Sequence, residues 1–233
     1  MASVDPESKE LHEADTKIIR LRYSKTGKAK HISHLDLMAT LGRAFMRAGI
    51  QLKYSEGFNP HPYISVALPL PVGCESICEH ADIRVTDVSG MGTFPQRLTS
   101  VLPEGLEVTD AYIPDRKFSA IAWMTIICKL FYGTGAAPDI INRLNSVFLT
   151  GSMIVPKKTK RGASDINIAP FIKKIMISGG KTATMTAEVS AQNPSITPQM
   201  LITALEMNMA ATTPDFYMFT RAEIYDINME VFR

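Results

Sequence analysis

From Lys17 to Tyr23 apolar and polar residues alternate, with Ile19, Leu21 and Tyr23 on one side and Arg20 and Arg22 on the other. A period of two over this length predicts a half-buried strand that presents its arginines to solvent or ligand. The period then changes. Ser33 followed by Asp36 makes a capping-box-like start, with Asp where Glu is usual. Leu37, Leu41, Ala44, Phe45 and Ala48 recur at helical spacing, and Gly49 ends the helix. Arg43 and Arg47, four apart, share its exposed face. Beyond it, Tyr63–Leu70 reads as a strand with Pro69–Gly73 as its turn, Ala81–Thr86 as a second strand, Phe94–Leu102 as a short helix and Leu106–Ile113 as a strand.

After a linker at Arg116–Ser119 the order starts again. Ala120–Phe131 reads as a strand carrying the single tryptophan, Trp123, and Pro138–Phe148 as an amphipathic helix. Met153–Lys158 and Ile166–Ile177 read as extended segments around a basic Lys157–Arg161 turn. Thr182–Val189 is a further strand, Gln199–Met207 a helix capped by Thr197-Pro198, and Phe216–Asn228 a last strand. The expected fold is therefore α+β: two tandem ferredoxin-like (βαββαβ) halves with antiparallel sheets, over residues 17–115 and 119–233. Residues 1–16, rich in Asp and Glu and poor in apolar residues, read as a flexible acidic tail.

One stretch fits neither period. Ser55-Glu56-Gly57-Phe58-Asn59-Pro60-His61-Pro62 is too stiff and irregular for helix or strand. Pro60 and Pro62 fix their own φ and push Asn59 and His61 toward extended conformations, while Gly57 frees the backbone for a turn. Such a loop holds side chains at fixed angles, as binding sites require. The plainer expectation is a proline-rich connection with Phe58 plugging the core and His61 partly exposed near the Ser33–Asp36 helix start.

Together with Ile32-Ser33-His34-Leu35-Asp36-Leu37, Arg43-Ala44, Arg47-Ala48, Pro69-Leu70-Pro71-Val72-Gly73, Ser76, Glu79 and Asp82, that loop resembles a family of uncharacterised proteins described as radical-SAM-linked. The resemblance is dense over residues 17 to 85 and thinner at Lys157–Ile168 and Thr220–Tyr225. Members occur alone or attached to radical SAM proteins, so the resemblance implies a radical SAM protein as partner.

Composition narrows the classes. The apolar share of 45% is that of a globular protein with a real core. Runs such as Ala120–Ile127 are too short to span a bilayer, which excludes a helical membrane anchor within this sequence. The odd set Cys74, Cys78 and Cys128 argues against a disulfide framework and for a reducing cytoplasm. The net charge is only +2, but nine Lys or Arg face one acid, Asp36, between Lys17 and Lys53. Seven face one acid, Asp165, between Lys157 and Lys181. Segregation on this scale points to a polyanion, with Arg20, Arg22, Arg43, Arg47, Lys157, Lys158, Lys160 and Arg161 as nucleic-acid contacts.

Candidate chemistry is sparse. A radical SAM cluster needs Cys-x3-Cys-x2-Cys, and Cys74 and Cys78 supply only the first spacing because position 81 is Ala81. Cys74, Cys78, His80 and Asp82 mix soft and hard ligands without a second pair, a poor metal site. No Walker loop, dinucleotide fingerprint or nucleophile elbow is present, and no cofactor is expected. His31, His34, Asp36 and His61 form a further set if the proline loop folds over the helix start: a His–His–Asp group such as His34, Asp36 and His61 binds a divalent ion or acts as acid and base on RNA, against the plain alternative that His34 sits in the first helical turn and Asp36 completes a cap. The reading that follows is an accessory RNA-binding module working with a radical SAM partner. Its alternatives are a metal-independent ribonuclease or transferase using His34 and His61, and a pure protein-docking subunit. Oligomeric state is not legible.

Overall fold

The computed structural model describes residues 16–133, 138–148, 151–159, 162–179, 182–208 and 213–233. The acidic tail up to residue 15, Lys160, Arg161 and Lys181 lie outside the described residues, as does Met209. The chain is a mixed α+β protein with mostly antiparallel sheet, and it divides into two compact units. One runs to Lys117 and takes in Arg233; the other is Phe118–Phe232.

The first unit contains β1 (Lys17–Lys25), α1 (His34–Arg47), β2 (Ile64–Val66), β3 (Glu75–Val85), α2 (Phe94–Thr99) and β4 (Leu106–Tyr112). Its strands lie in the order β4–β1–β3–β2. Ile19, Leu21 and Tyr23 of β1 and Ala81, Ile83 and Val85 of β3 point to one face, where they pack with Leu37, Leu41, Ala44 and Phe45 of α1 and Phe94 and Leu98 of α2. Strand alternation sends the intervening residues to the opposite face. Burying side chains such as Leu41 and Phe45 stabilises the unit by about 1.5–3 kcal/mol each.

Local chemistry explains the element ends. Ser33 Oγ accepts from the Asp36 N–H at 3.2 Å and starts α1. At its other end the Ile50 N–H donates to the Phe45 carbonyl and the Gly49 N–H to the Met46 carbonyl, the paired bonds of a Schellman stop. Gly105 holds φ +89°, and a Cβ there would lie 2.2 Å from the Thr26 carbonyl oxygen, so only glycine fits where β4 begins. Two expected strands differ in extent. Tyr63–Leu70 contracts to β2, because Pro69 and Pro71 remove ladder donors. β3 begins six residues before Ala81, since its start pairs with the far end of β1, Lys25 opposite Ser76. Cys78 therefore sits inside a strand.

The second unit contains β5 (Trp123–Phe131), α3 (Pro138–Phe148), β6 (Ile154–Thr159), β7 (Gly162–Asn167), β8 (Ile172–Ser178), β9 (Ala183–Ser190), α4 (Pro198–Asn208) and β10 (Phe216–Tyr225). Its strands run β10–β5–β9–β8, and β6 and β7 form a separate hairpin. Alternate residues Met124, Ile126, Cys128 and Leu130 of β5 and Met185, Ala187 and Val189 of β9 are buried, as are Leu201, Ile202 and Leu205 of α4.

Candidate nucleic-acid interface

The proline-rich stretch folds as a closed hairpin loop. The Tyr63 N–H donates to the Lys53 carbonyl at 3.0 Å, and the Ser55 N–H donates to the His61 carbonyl at 2.9 Å. The His61 N–H returns to Ser55 Oγ at 3.0 Å, and Tyr54 bridges Pro62. Ser55 thus ties both arms of the loop. Gly57 sits at φ +120°, a conformation that a residue with a Cβ resists. The expectation that Phe58 plugs the core is corrected: its relative exposure is 106%, and Asn59, Pro60 and His61 are exposed beside it. The reason is geometric. The arms are last tied between Ser55 and His61, just past the Tyr54–Pro62 bridge, so the residues between them project outward and none of the described residues covers Phe58.

The root of this loop rests on α1. A Cβ on Gly42 would lie 3.6 Å from Pro62 Cγ, so the proline ring lies over that turn of the helix. Arg43 follows Gly42 directly and is exposed, as are Met46 and Arg47. The Arg47 guanidinium donates to the Val101 carbonyl at 2.8 Å, which orders it without hiding it. Leu35 (79% exposed) and Met46 (65%) leave apolar surface on the same helix. The loop and helix together present an exposed aromatic, two guanidiniums and a fringe of apolar contact.

The β1 arginines behave differently. Arg20, expected to face solvent or ligand, is fully buried: Nε and Nη2 donate to Asp82 at 2.7 and 2.9 Å, and Nη1 donates to the Arg233 main-chain oxygen at 3.2 Å. β1 and β3 place Arg20 directly opposite Asp82, so the pair forms within the sheet. Arg22, opposite His80, is half-buried. Other cations of the block are also answered by acids distant in sequence, Lys30 by Glu75 at 3.7 Å and Lys28 by Glu104 at 3.8 Å. Lys25 is buried, and desolvation pulls its pKa below the ordinary lysine value against the opposing pull of Glu79 and Cys74. In the second unit, Lys157 lies half-buried on β6 opposite Ser164. Lys158 pairs with Ala163 through the backbone, and the adjacent Lys160 and Arg161 fall outside the described residues.

His34, Asp36 and His61 are all exposed. Asp36 accepts from the Ser33 hydroxyl at 2.7 Å and so works as a helix cap. The loop meets α1 at Gly42, two turns beyond His34, a separation of about 12 Å along the helix axis. Among the described residues no group of three or more His, Cys, Asp or Glu is arranged to hold a metal ion, which covers both this set and Cys74, Cys78, His80 and Asp82.

Two residues near the site went unread in the sequence. Arg84 lies over the Tyr63 ring at 5.0 Å. It alternates with Asp82 along β3, the same signal that marked Arg20 and Arg22. Arg97 donates to the Ala48 carbonyl at 2.6 and 3.1 Å and fixes the end of α1; nothing in its spacing announces that contact.

Residues 18–198 match a family described as "Uncharacterized protein conserved in bacteria (DUF2344)". No curated protein matches the chain. Among solved structures it is similar to a chain of "Crystal Structure of a Cbf5-Nop10-Gar1 Complex", at 10% identity and a TM-score of 0.48, covering 96% of this chain and 55% of that one. This chain thus spans little more than half the length of that neighbour. A second similarity is to an unknown protein from Galdieria sulphuraria, at 10% identity and a TM-score of 0.27, covering 88% and 98%.

Proposed function

The chain belongs to the DUF2344 family of uncharacterized proteins conserved in bacteria, and from its geometry we propose an RNA-binding module that accompanies a modifying enzyme. The observation that carries the reading is Phe58, fully exposed on a braced loop whose root lies against the helix bearing Arg43 and Arg47. Leaving a phenylalanine in water forgoes about 1.5–3 kcal/mol of burial, a cost that a ligand's planar face offsets. Unpaired bases stack on such rings, and guanidiniums beside them take the phosphates. RNA contact by this surface draws on loop and helix rather than on the β1 face, whose Arg20 is committed to Asp82.

The modifying enzyme is proposed as a radical SAM protein, on the motif resemblance over residues 17 to 85. This chain would be its accessory, since Ala81 stands where a third cluster thiolate would be needed and Cys78 is buried. Each half is proposed as ferredoxin-like. The strand orders β4–β1–β3–β2 and β10–β5–β9–β8 support this, with β6–β7 an insertion. No described helix is long and apolar enough to cross a membrane; a cytoplasmic site of action is part of the proposal. The test is retention of fragmented total bacterial RNA on immobilised full-length protein at low salt. Retention by wild type that Phe58→Ala weakens supports the reading. Absence of retention, with an intact fold, defeats it in favour of a protein-docking subunit.

A further inference from the structure

The second unit keeps one sheet edge open. Its strands run β10–β5–β9–β8, and among the described residues no strand pairs with the outer side of β8 (Ile172–Ser178). An outermost strand carries N–H and C=O groups without a ladder partner and is a template for one more strand. Beside this edge lies a cavity of about 330 Å3 that none of the chemistry assigned above uses. Phe148 at the end of α3, Met153, Pro170, Ile172 and Ile175 line it, so its walls are largely apolar. They meet because α3 packs against β8 and the short turn Ala169–Phe171 carries the chain from β7 into β8. We propose that β8 takes up an extended peptide of alternating acidic and large apolar residues as an added strand, with one apolar side chain in this cavity. The inference concerns the second unit alone and does not rest on the RNA reading.

Register sorts the two faces that such a peptide meets. Ile175 stands opposite Ala187 and Ile177 opposite Met185, both buried on β9, whereas Lys174 stands opposite Glu188 and Met176 opposite Thr186 on the other side. The register shifts between Ile172 and Lys174, which makes Lys173 an extra residue. Its ammonium lies 4.6 Å from the centre of the Trp123 ring, and Trp123 alternates with the buried Met124. Both lysines are exposed and border the cavity. Among the described residues neither is in an ion pair, not even Lys174 with the Glu188 opposite it. A strand laid along β8 sends alternate side chains to the same two sides. Apolar ones then meet the cavity and carboxylates meet the ammoniums, and opposite charges across a strand pair favour that register. A second copy of this chain is a poorer occupant, because two β8 edges side by side would gather the lysines of both copies on one joined sheet. An RNA strand answers the lysines but has no alternating N–H and C=O groups to meet the edge. The cavity lies at the small end of ligand pockets, which suits one anchoring side chain.

Fluorescence anisotropy of the full chain with a labelled synthetic peptide that alternates glutamate with valine around one central phenylalanine tests this. A peptide of the same composition in scrambled order and a version with lysine for glutamate are the controls. The expected result is that the alternating peptide binds about tenfold or more tighter than the scrambled one, which keeps the charge and loses the two-sided pattern. Lys173→Glu/Lys174→Glu should weaken it about tenfold or more and strengthen the lysine version, since like charges then replace opposite ones. Pro170→Trp, at an exposed position on the cavity wall, should weaken the alternating peptide without reversing that charge preference, and keeps the test open if the double variant does not fold. Amide hydrogen exchange in β8 should slow when the peptide binds. Equal binding of the alternating and scrambled peptides, no binding at millimolar peptide, or unchanged exchange in β8 would each overturn the proposal. Displacement of the bound peptide by oligouridylate would assign the lysines to nucleic acid, and sedimentation as a dimer that Pro170→Trp dissociates would assign the edge to a second copy; either result overturns it.

Discussion

Arg20 on β1 and Arg43 on α1 look alike in sequence: each has an arginine partner two or four residues on, placed by its element's period on a polar face. The fold treats them in opposite ways. Arg20 is fully buried, its guanidinium shared between Asp82 and the Arg233 main chain. Arg43 stands exposed one residue from the seat of Pro62. The difference lies in what each element has for neighbours. A strand in the middle of a sheet has a cross-strand residue on each side, so a polar face is met by whatever the partners carry there. An exposed helix face meets only water or a ligand. Period therefore reports which side a residue is on, and the pairing partner reports whether that side is available for binding.

The contrast can be broken most forcefully at Asp82. Asp82→Ala leaves the Arg20 guanidinium buried without its carboxylate and should cost about 3 kcal/mol of stability, read as a lowered midpoint in urea. Arg43→Gln at the exposed position should change that midpoint by no more than about 0.5 kcal/mol. If the two substitutions cost the same, the distinction between the faces is wrong. Next in size is Phe58→Ala. It removes no buried contact, so stability should hold while RNA affinity falls by about 1–3 kcal/mol, the worth of one stacked base. A marked loss of stability would mean that Phe58 packs in solution.

A smaller and separate effect lies in the second unit. Burial, with the nearby Cys128 and Asp215, raises the Tyr132 hydroxyl from its usual value near 10 to about 12. A raised folded pKa means the folded form keeps its proton longer than the unfolded chain. Stability from this group is then complete below about pH 10 and is lost as pH rises through 12. Tyr132→Phe should flatten that part of a stability–pH curve; an unchanged slope between pH 10 and 12 would remove the account of this residue.

Much of the fold was legible, because α1 and the β1, β4 and β5 strands carry strong periods and clear ends. Ser33, Asp36 and Gly49 frame α1 where the pattern places it. What was hidden is pairing. Nothing local to Lys17–Tyr23 announces that Asp82 lies opposite Arg20, sixty-two residues on, or that Glu75 and Glu104 answer Lys30 and Lys28. The basic block therefore looked more available than it is. Phe58 misled in the other direction. An aromatic in a stiff loop is read as a plug, and only the closure of the loop at Tyr54 and Pro62 shows that it projects outward.

The most direct measurement is the salt dependence of RNA binding for wild type, Arg43→Gln/Arg47→Gln and Arg20→Gln, each first shown to be folded. Neutralising phosphates releases counterions, so each lost contact lowers the slope of log K against log salt by roughly 0.7–0.9. The account predicts a slope reduced by up to about twice that in the α1 double variant, and a slope unchanged in Arg20→Gln. A slope that falls for Arg20→Gln and stays fixed for Arg43→Gln/Arg47→Gln would contradict it.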